Sequence, residues 1–204
     1  MKKIKVLLNC DPNLKIDLAK TEYNFFVGID AGCRFFYQQK KKFDLAIGDF
    51  DHFENKKIKK LAKKNIILAA KKDVLDLEYC LNYLQNNFVI ESIDLFIPHL
   101  RIDFDFYLLK MFNQYSHLYV YNSQFLIFKL KANNYFSYLK FQKYHYFSII
   151  CLQQGIVEIK NFKYSGLFKM NYLETKFFSN EMIENRNGVI KINNGTALIV
   201  CSKK

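Results

Sequence analysis

Tryptophan is absent from this 204-residue chain, and arginine nearly so: Arg34, Arg101 and Arg186 stand against 28 lysines. Without tryptophan, 21 Phe and 14 Tyr must supply the bulky packing. The net charge of +12 is therefore almost all ammonium. Such a balance favours anionic partners (nucleotides, nucleic acid, a membrane surface) without choosing among them. A composition rich in Lys, Asn, Phe, Tyr and Ile is also what AT-rich codons produce, so part of the basicity carries no functional message. The five cysteines (Cys10, Cys33, Cys80, Cys151 and Cys201) are odd in number and show no C-x-x-C spacing. That excludes a disulfide framework or zinc site and fits a reducing compartment. No stretch approaches the roughly 20 apolar residues of a bilayer span. The apolar run after Met1-Lys2-Lys3 is short and broken by Lys5, unlike a secretory leader. A soluble, cytoplasmic protein with no membrane partner is the expectation. Internal repeats are lacking too, and the length suits one large domain or two small ones.

What is present is an alternation. Strands are predicted at Ile4–Leu8, Phe25–Ile29, Leu45–Ile47, Asn65–Ala70, Ile93–Pro98 and Leu118–Tyr121. Helices are predicted between them at Cys33–Lys42, Glu54–Lys64, Asp73–Asn87 and Asp103–Tyr115. The third of these has the clearest apolar stripe, Leu77, Cys80, Leu81 and Leu84, at three- and four-residue spacing. Such βαβ alternation implies a mostly parallel sheet. After about residue 123 the helical period disappears. Short β runs follow at 125–128, 144–152, 156–162, 173–178, 189–192 and 197–201, with Gly155, Gly188 and Asn193-Asn194-Gly195 read as turns. The expected fold is an α/β domain over 1–125 followed by an all-β sandwich or barrel-like domain over 126–204.

The chemistry centres on Ile47-Gly48-Asp49-Phe50-Asp51. An apolar run there ends in glycine and two carboxylates separated by an aromatic, as a buried parallel strand does on entering a loop. Ligands of open α/β sheets collect outside such strand ends. Carboxylates at i and i+2 share one side of an extended segment, repel if bare, and call for a cation. Mg²⁺ carrying a nucleotide is the economical choice. The structural alternative is that Asp49 and Asp51 cap the helix near Glu54. Further acids are predicted at other strand ends: Asp30 after the second, Asp73 and Asp76 after the fourth, Asp103 after the fifth. Asp73-x-x-Asp76 also reads as a helix cap with a first-turn acid. Arg101, in a chain that otherwise uses lysine, points to planar bidentate recognition of phosphate or carboxylate; its alternative is a structural ion pair. The four histidines lack ligand spacing, with His99 beside the fifth strand end the one exception.

These motifs, in this order, resemble the thiamine pyrophosphokinase family. Val27-Gly28-Ile29-Asp30-Ala31-Gly32 resembles its Asp-containing turn, and Asp44–Asp51 its most recognisable segment, with His52 where serine is usual. Lys72–Glu78 is similar to its acidic helix start, with Leu75 for threonine, and Arg101-Ile102-Asp103 to its Arg-x-Asp. Asn161–Tyr164 and Phe178-Ser179-Asn180-Glu181 resemble two stretches of its β domain. The resemblance implies an ATP-binding α/β domain, a thiamine-binding β-sandwich domain, and a homodimer with thiamine between subunits. It implies transfer of pyrophosphate from ATP to the thiamine hydroxyl, releasing AMP. Carried over by position, Asp30, Asp49, Asp51 and Asp76 would surround Mg²⁺ and phosphates, with Asp49, Asp51, Asp76 and Arg101 catalytic. Asp30, Asp73, Arg101 and Asp103 would face ATP, and Ser179 and Asn180 the thiamine pyrimidine. There are departures. The family's glycine-rich loop before Arg-x-Asp is here Ile97-Pro98-His99-Leu100, one residue shorter and without glycine. Phe104 replaces a usual histidine, and Leu109 a usual asparagine.

Two other readings compete. Lysines beside aromatics, as in Lys140-Phe141-Gln142-Lys143-Tyr144, are the composition of a single-strand nucleic-acid platform; scarce arginine and dispersed lysines argue against it. A relative that binds thiamine or nucleotide without efficient turnover is the third.

Overall fold

A computed structural model describes residues 1–8, 16, 18, 23–51, 60–70, 74–98, 102–137, 143–184 and 186–204, the side chains of Ile102, Asp103, Asp105 and Lys176 excepted. The fold is mixed α/β and dominated by sheet, with twelve strands among these residues. It divides into two compact units, Met1–Ser123 and Gln124–Lys204.

In the first unit, β1 (Lys2–Leu8), β2 (Phe25–Ile29), β3 (Phe43–Gly48), β4 (Ala62–Ile67), β5 (Ile90–Phe96) and β6 (Leu118–Tyr121) lie in the order β6-β5-β1-β2-β3-β4. Every one of these pairings is parallel. β3 is buried at all six positions, the continuous burial expected of a strand covered on both faces. Its one charged residue, Asp44, is satisfied by the Phe26 N–H at 2.9 Å and the Lys63 ammonium at 2.7 Å. The strand order reverses between β1 and β5, the switch point at which open α/β sheets hold ligands. The helices are α1 (Cys33–Gln38), α2 (Asp76–Asn87) and α3 (Ile102–Gln114). α2 buries Leu77, Cys80, Leu81 and Leu84, so the stripe read from spacing is its inner face.

Several expected boundaries move. α1 stops at Gln38 rather than Lys42. Lys63 and Lys64, expected at a helix end, belong to β4, which starts at Ala62. There they reach Asp44 and the Tyr83 hydroxyl, and lysines are what an edge strand carries to discourage further pairing. The rest of the predicted helix at 54–64 lies largely outside the described residues. α2 begins at Asp76, three residues later than expected, after Leu75, which provides no side-chain cap.

The second unit is built on two long antiparallel strands, β9 (Tyr146–Lys160) and β12 (Val189–Ser202), paired from end to end. At one end β10 (Gly166–Met170) and β8 (Tyr135–Ser137) flank them; at the other, β11 (Thr175–Glu181) and β7 (Phe125–Lys131) do. Two four-stranded halves thus share the same central pair. Their inner faces meet through aromatic rings: Phe136 of one half lies 5.9 Å from Phe147 of the other, which in turn lies 5.1 Å from Phe162. Gly155 and Asn193-Asn194-Gly195, expected as turns, instead sit inside β9 and β12, where the register shifts. A Cβ on Gly155 would come 2.0 Å from the Asn194 carbonyl oxygen, and Gly195 has φ +84. The two backbones approach too closely there for side chains, which is what glycine at a bulge permits.

Candidate functional site

The carboxyl ends of β2 and β3 shape the site. β2 runs into a single 3-10 turn, Asp30–Gly32, with Asp30 at φ +43. Beside it, β3 ends at Gly48, whose φ is +152. A Cβ at Gly48 would lie 1.7 Å from Oδ1 of Asp30, so the missing side chain is the space the carboxylate occupies. Next, Phe50 turns inward at φ +54 and packs, 5% exposed, in a cluster with Phe26, Phe36 and Phe43. This anchor leaves Asp49 half-buried and Asp51 exposed on either side of it. The Asp51 N–H donates to Oδ1 of Asp49 at 3.3 Å, and the Phe50 N–H to Oδ1 of Asp30 at 3.4 Å. Asp30 and Phe50, joined through the Asp30 carboxylate, are both non-glycine residues at positive φ, a local strain of the kind that gathers at functional positions.

Asp76, in the first turn of α2, completes the arrangement. Its carboxyl lies near enough to Asp30 to act on it by hydrogen bonding and charge, and Asp49 adds its own charge. Accordingly the Asp30 carboxyl is pushed up from 3.8 to about 7, first by burial, then by the hydrogen bond and charge of Asp76. The Phe50 N–H opposes this. Cys33, next along the chain, is no nucleophile: burial and the Asp30 charge push its thiol far up.

Of the residues singled out in the sequence, Asp30, Asp49 and Asp76 are thus neighbours, and Asp51 stands at the same strand end. Among the described residues, no group of three or more His, Cys, Asp or Glu side chains is drawn close enough to hold a metal ion. Asp73, Arg101, His52 and His99, and the side chain of Asp103, lie outside the described residues. In the second unit, β11 bulges between Lys176 and Asn180, with Phe177 and Ser179 at positive φ and Ser179 exposed. Asn180 is 2% exposed and grips the backbone of Tyr164 through both ends of its amide, at 3.1 and 3.0 Å.

Two features escaped the sequence reading. Glu78 accepts the Tyr107 hydroxyl at 2.8 Å and the Lys110 ammonium at 2.9 Å, tying α2 to α3. A glutamate followed by a tyrosine 29 positions later carries no local signal. The other is the inward anchor Phe50, which an Asp-x-Asp pattern left as a mere spacer. The proposed stacking platform around Tyr144 is corrected: that ring is fully buried and has no face to offer a base, while 138–142 lie outside the described residues.

An α/β unit with acids at parallel strand ends, followed by a wholly antiparallel β unit, defines the class of fold. No protein-family model and no curated protein matches the sequence. Among solved structures, the thiamin pyrophosphokinase family protein from Enterococcus faecalis is similar with a TM-score of 0.81 at 20% identity over 100% of both chains. Thiamine pyrophosphokinase from Bacillus subtilis gives 0.81 at 22%, again over 100% of both. Thiamin pyrophosphokinase from Candida albicans gives 0.66 at 16%, over 100% of this chain and 89% of that one. The chain has the thiamin pyrophosphokinase fold along its whole length.

Proposed function

We propose that the protein is an ATP-dependent thiamine pyrophosphokinase, transferring pyrophosphate from ATP to the thiamine hydroxyl to give thiamine diphosphate and AMP. The observation that carries this reading is the Asp30–Asp76 pair with Asp49 beside it, seated at β-strand ends in a chain that follows the thiamin pyrophosphokinase fold from end to end.

The donor set fits Mg²⁺. Asp30 and Asp76, two carboxyl groups brought together at the strand ends, are a ready pair of hard oxygen ligands when ionised. Mg²⁺ is commonly held by one or two carboxylates plus substrate phosphates rather than by a closed protein cage, so Asp30 and Asp76, with Asp49 and Asp51 at the rim, would hold it. When bound, it supplies charge neutralisation on the phosphate oxygens. The chain's own part is positioning. Gly48 lets Asp30 lie flat against β3, Phe50 fixes the directions of Asp49 and Asp51, and Glu78 holds α2 against α3. One carboxylate takes the hydroxyl proton of thiamine, which requires only hydrogen-bond reach. Arg101, Asp73 and Asp103 are assigned to the nucleotide. Ser179, exposed on its bulge, is assigned to the pyrimidine together with Asn180, which also locks the neighbouring turn. The second unit is read as the thiamine-binding β-sandwich and the working form as a cytoplasmic homodimer with the site at the subunit interface.

The test is AMP formation from ATP and Mg²⁺ with and without thiamine. Thiamine-dependent AMP is expected, lost in Asp49→Asn and Asp51→Asn with the circular dichroism spectrum unchanged. Wild-type rates in both variants contradict the reading. Thermal stabilisation by thiamine with no AMP would instead identify a binding protein without turnover.

A further inference from the structure

A cleft of about 740 Å³ opens on the second unit; among the described residues its lining comes from that unit alone and includes none of Asp30, Asp49, Asp51 and Asp76. Its size falls within the roughly 300–1,000 Å³ of small-molecule sites. One side is the end of β9, the turn 161–165 and the start of β10; the other is the segment carrying Ile183 and Arg186. These walls are tied together. The Ile183 N–H donates to the Asn161 carbonyl at 2.9 Å, and the Asn161 side chain to the Asn187 carbonyl at 2.7 Å. The Ser165 hydroxyl both accepts the Phe162 N–H at 3.0 Å and donates to the Phe162 carbonyl at 2.7 Å. The cleft is therefore preformed by hydrogen bonds that each engage its backbone.

Three cations line it: Lys160, Lys163 and Arg186. The lysines already have carboxylates, Glu158 at 2.7 Å and Glu181 at 3.1 Å. No carboxylate among the described residues pairs with Arg186. That guanidinium is one of three in a chain of 28 lysines, and it shares the cleft with two lysines whose charge is already matched by carboxylates. A planar fork of donors matches a phosphate bidentately, which an ammonium does not. The lip is apolar, with Leu167 65% and Ile183 39% exposed.

We propose that this cleft binds a small phosphate monoester with an apolar body, the phosphate on the Arg186 guanidinium and the body against Leu167 and Ile183. The site stands independently of the pyrophosphokinase reading. The test is an amide NMR titration of the full chain, with phenyl phosphate and inorganic phosphate as probes. Saturable shifts are expected at Asn161, Lys163, Gly166 and Arg186, with phenyl phosphate binding the tighter of the two. Arg186→Ala should weaken phenyl phosphate by about tenfold, the value of one charge-assisted hydrogen bond, and Arg186→Lys should restore only part of it. Arg186 is exposed, so both variants should fold, as an unchanged amide spectrum elsewhere would show. Shifts confined to other residues, unchanged affinity in Arg186→Ala, or full rescue by Arg186→Lys would each overturn the site. Inorganic phosphate binding as tightly as the ester would overturn the ligand class.

Discussion

Gly48 and Asp30 form one structural unit, because the side chain of the second fills the place where the first has none. With a Cβ at 1.7 Å from Oδ1 and a backbone at φ +152, Gly48→Ala must displace the carboxylate and strain the strand end. A loss of about 2 kcal/mol in denaturant unfolding is expected, together with loss of thiamine-dependent turnover. Asp30 also makes the ligand-free protein pH-sensitive. A carboxyl whose folded-state value is raised stabilises the fold while protonated. That contribution is complete below its ordinary 3.8 and disappears as pH rises through about 7. Melting temperature in the absence of Mg²⁺ should therefore fall across this window. Asp30→Asn, which keeps a hydrogen-bond donor beside Asp76, should flatten the fall.

At the scale of elements, glycine pairs in sheet interiors decide the shape of the second unit. Gly155 and Gly195 let β9 and β12 pass at backbone contact where the two four-stranded halves divide. Gly155→Val should cost roughly 3 kcal/mol or leave that unit unfolded, read by thermal unfolding and loss of amide dispersion for residues 124–204. This is also where the sequence was hardest to read. Gly155 and Asn193-Asn194-Gly195 have the composition of hairpin turns, and only pairing across strands distinguishes a turn from a bulge. The short strands β8 and β10 were missed because three to five residues of mixed polarity carry little period-2 signal. By contrast the parallel strands of the first unit were legible, since burial on both faces makes them nearly continuous apolar runs. β4 was legible only from Asn65 onward: its Lys63 and Lys64, on an edge strand, resemble a solvated helix face. The acids stood out because they follow those apolar runs. Asn180 did not reveal its grip on Tyr164, because a side-chain bond spanning 16 residues leaves no local trace. In the α2–α3 tie at Glu78 the lysine side is half-exposed, and Lys110→Ala should cost under about 1 kcal/mol in stability.

At the scale of the molecule, the two units divide the work in the proposed reaction: one gathers carboxylates at parallel strand ends, and the other supplies a sheet folded about its glycines. Among the described residues, no helix is long and apolar enough to cross a membrane. The proposed homodimer should sediment at about twice the 24.4 kDa chain mass; a monomer at working concentration would remove the subunit-interface assignment. The most direct measurement of the central claim is the phosphorus NMR spectrum of ATP incubated with the protein, Mg²⁺ and thiamine. AMP and thiamine diphosphate should form in equal amounts, with no ADP. ATP left intact, or converted to ADP instead, would contradict pyrophosphoryl transfer at these carboxylates.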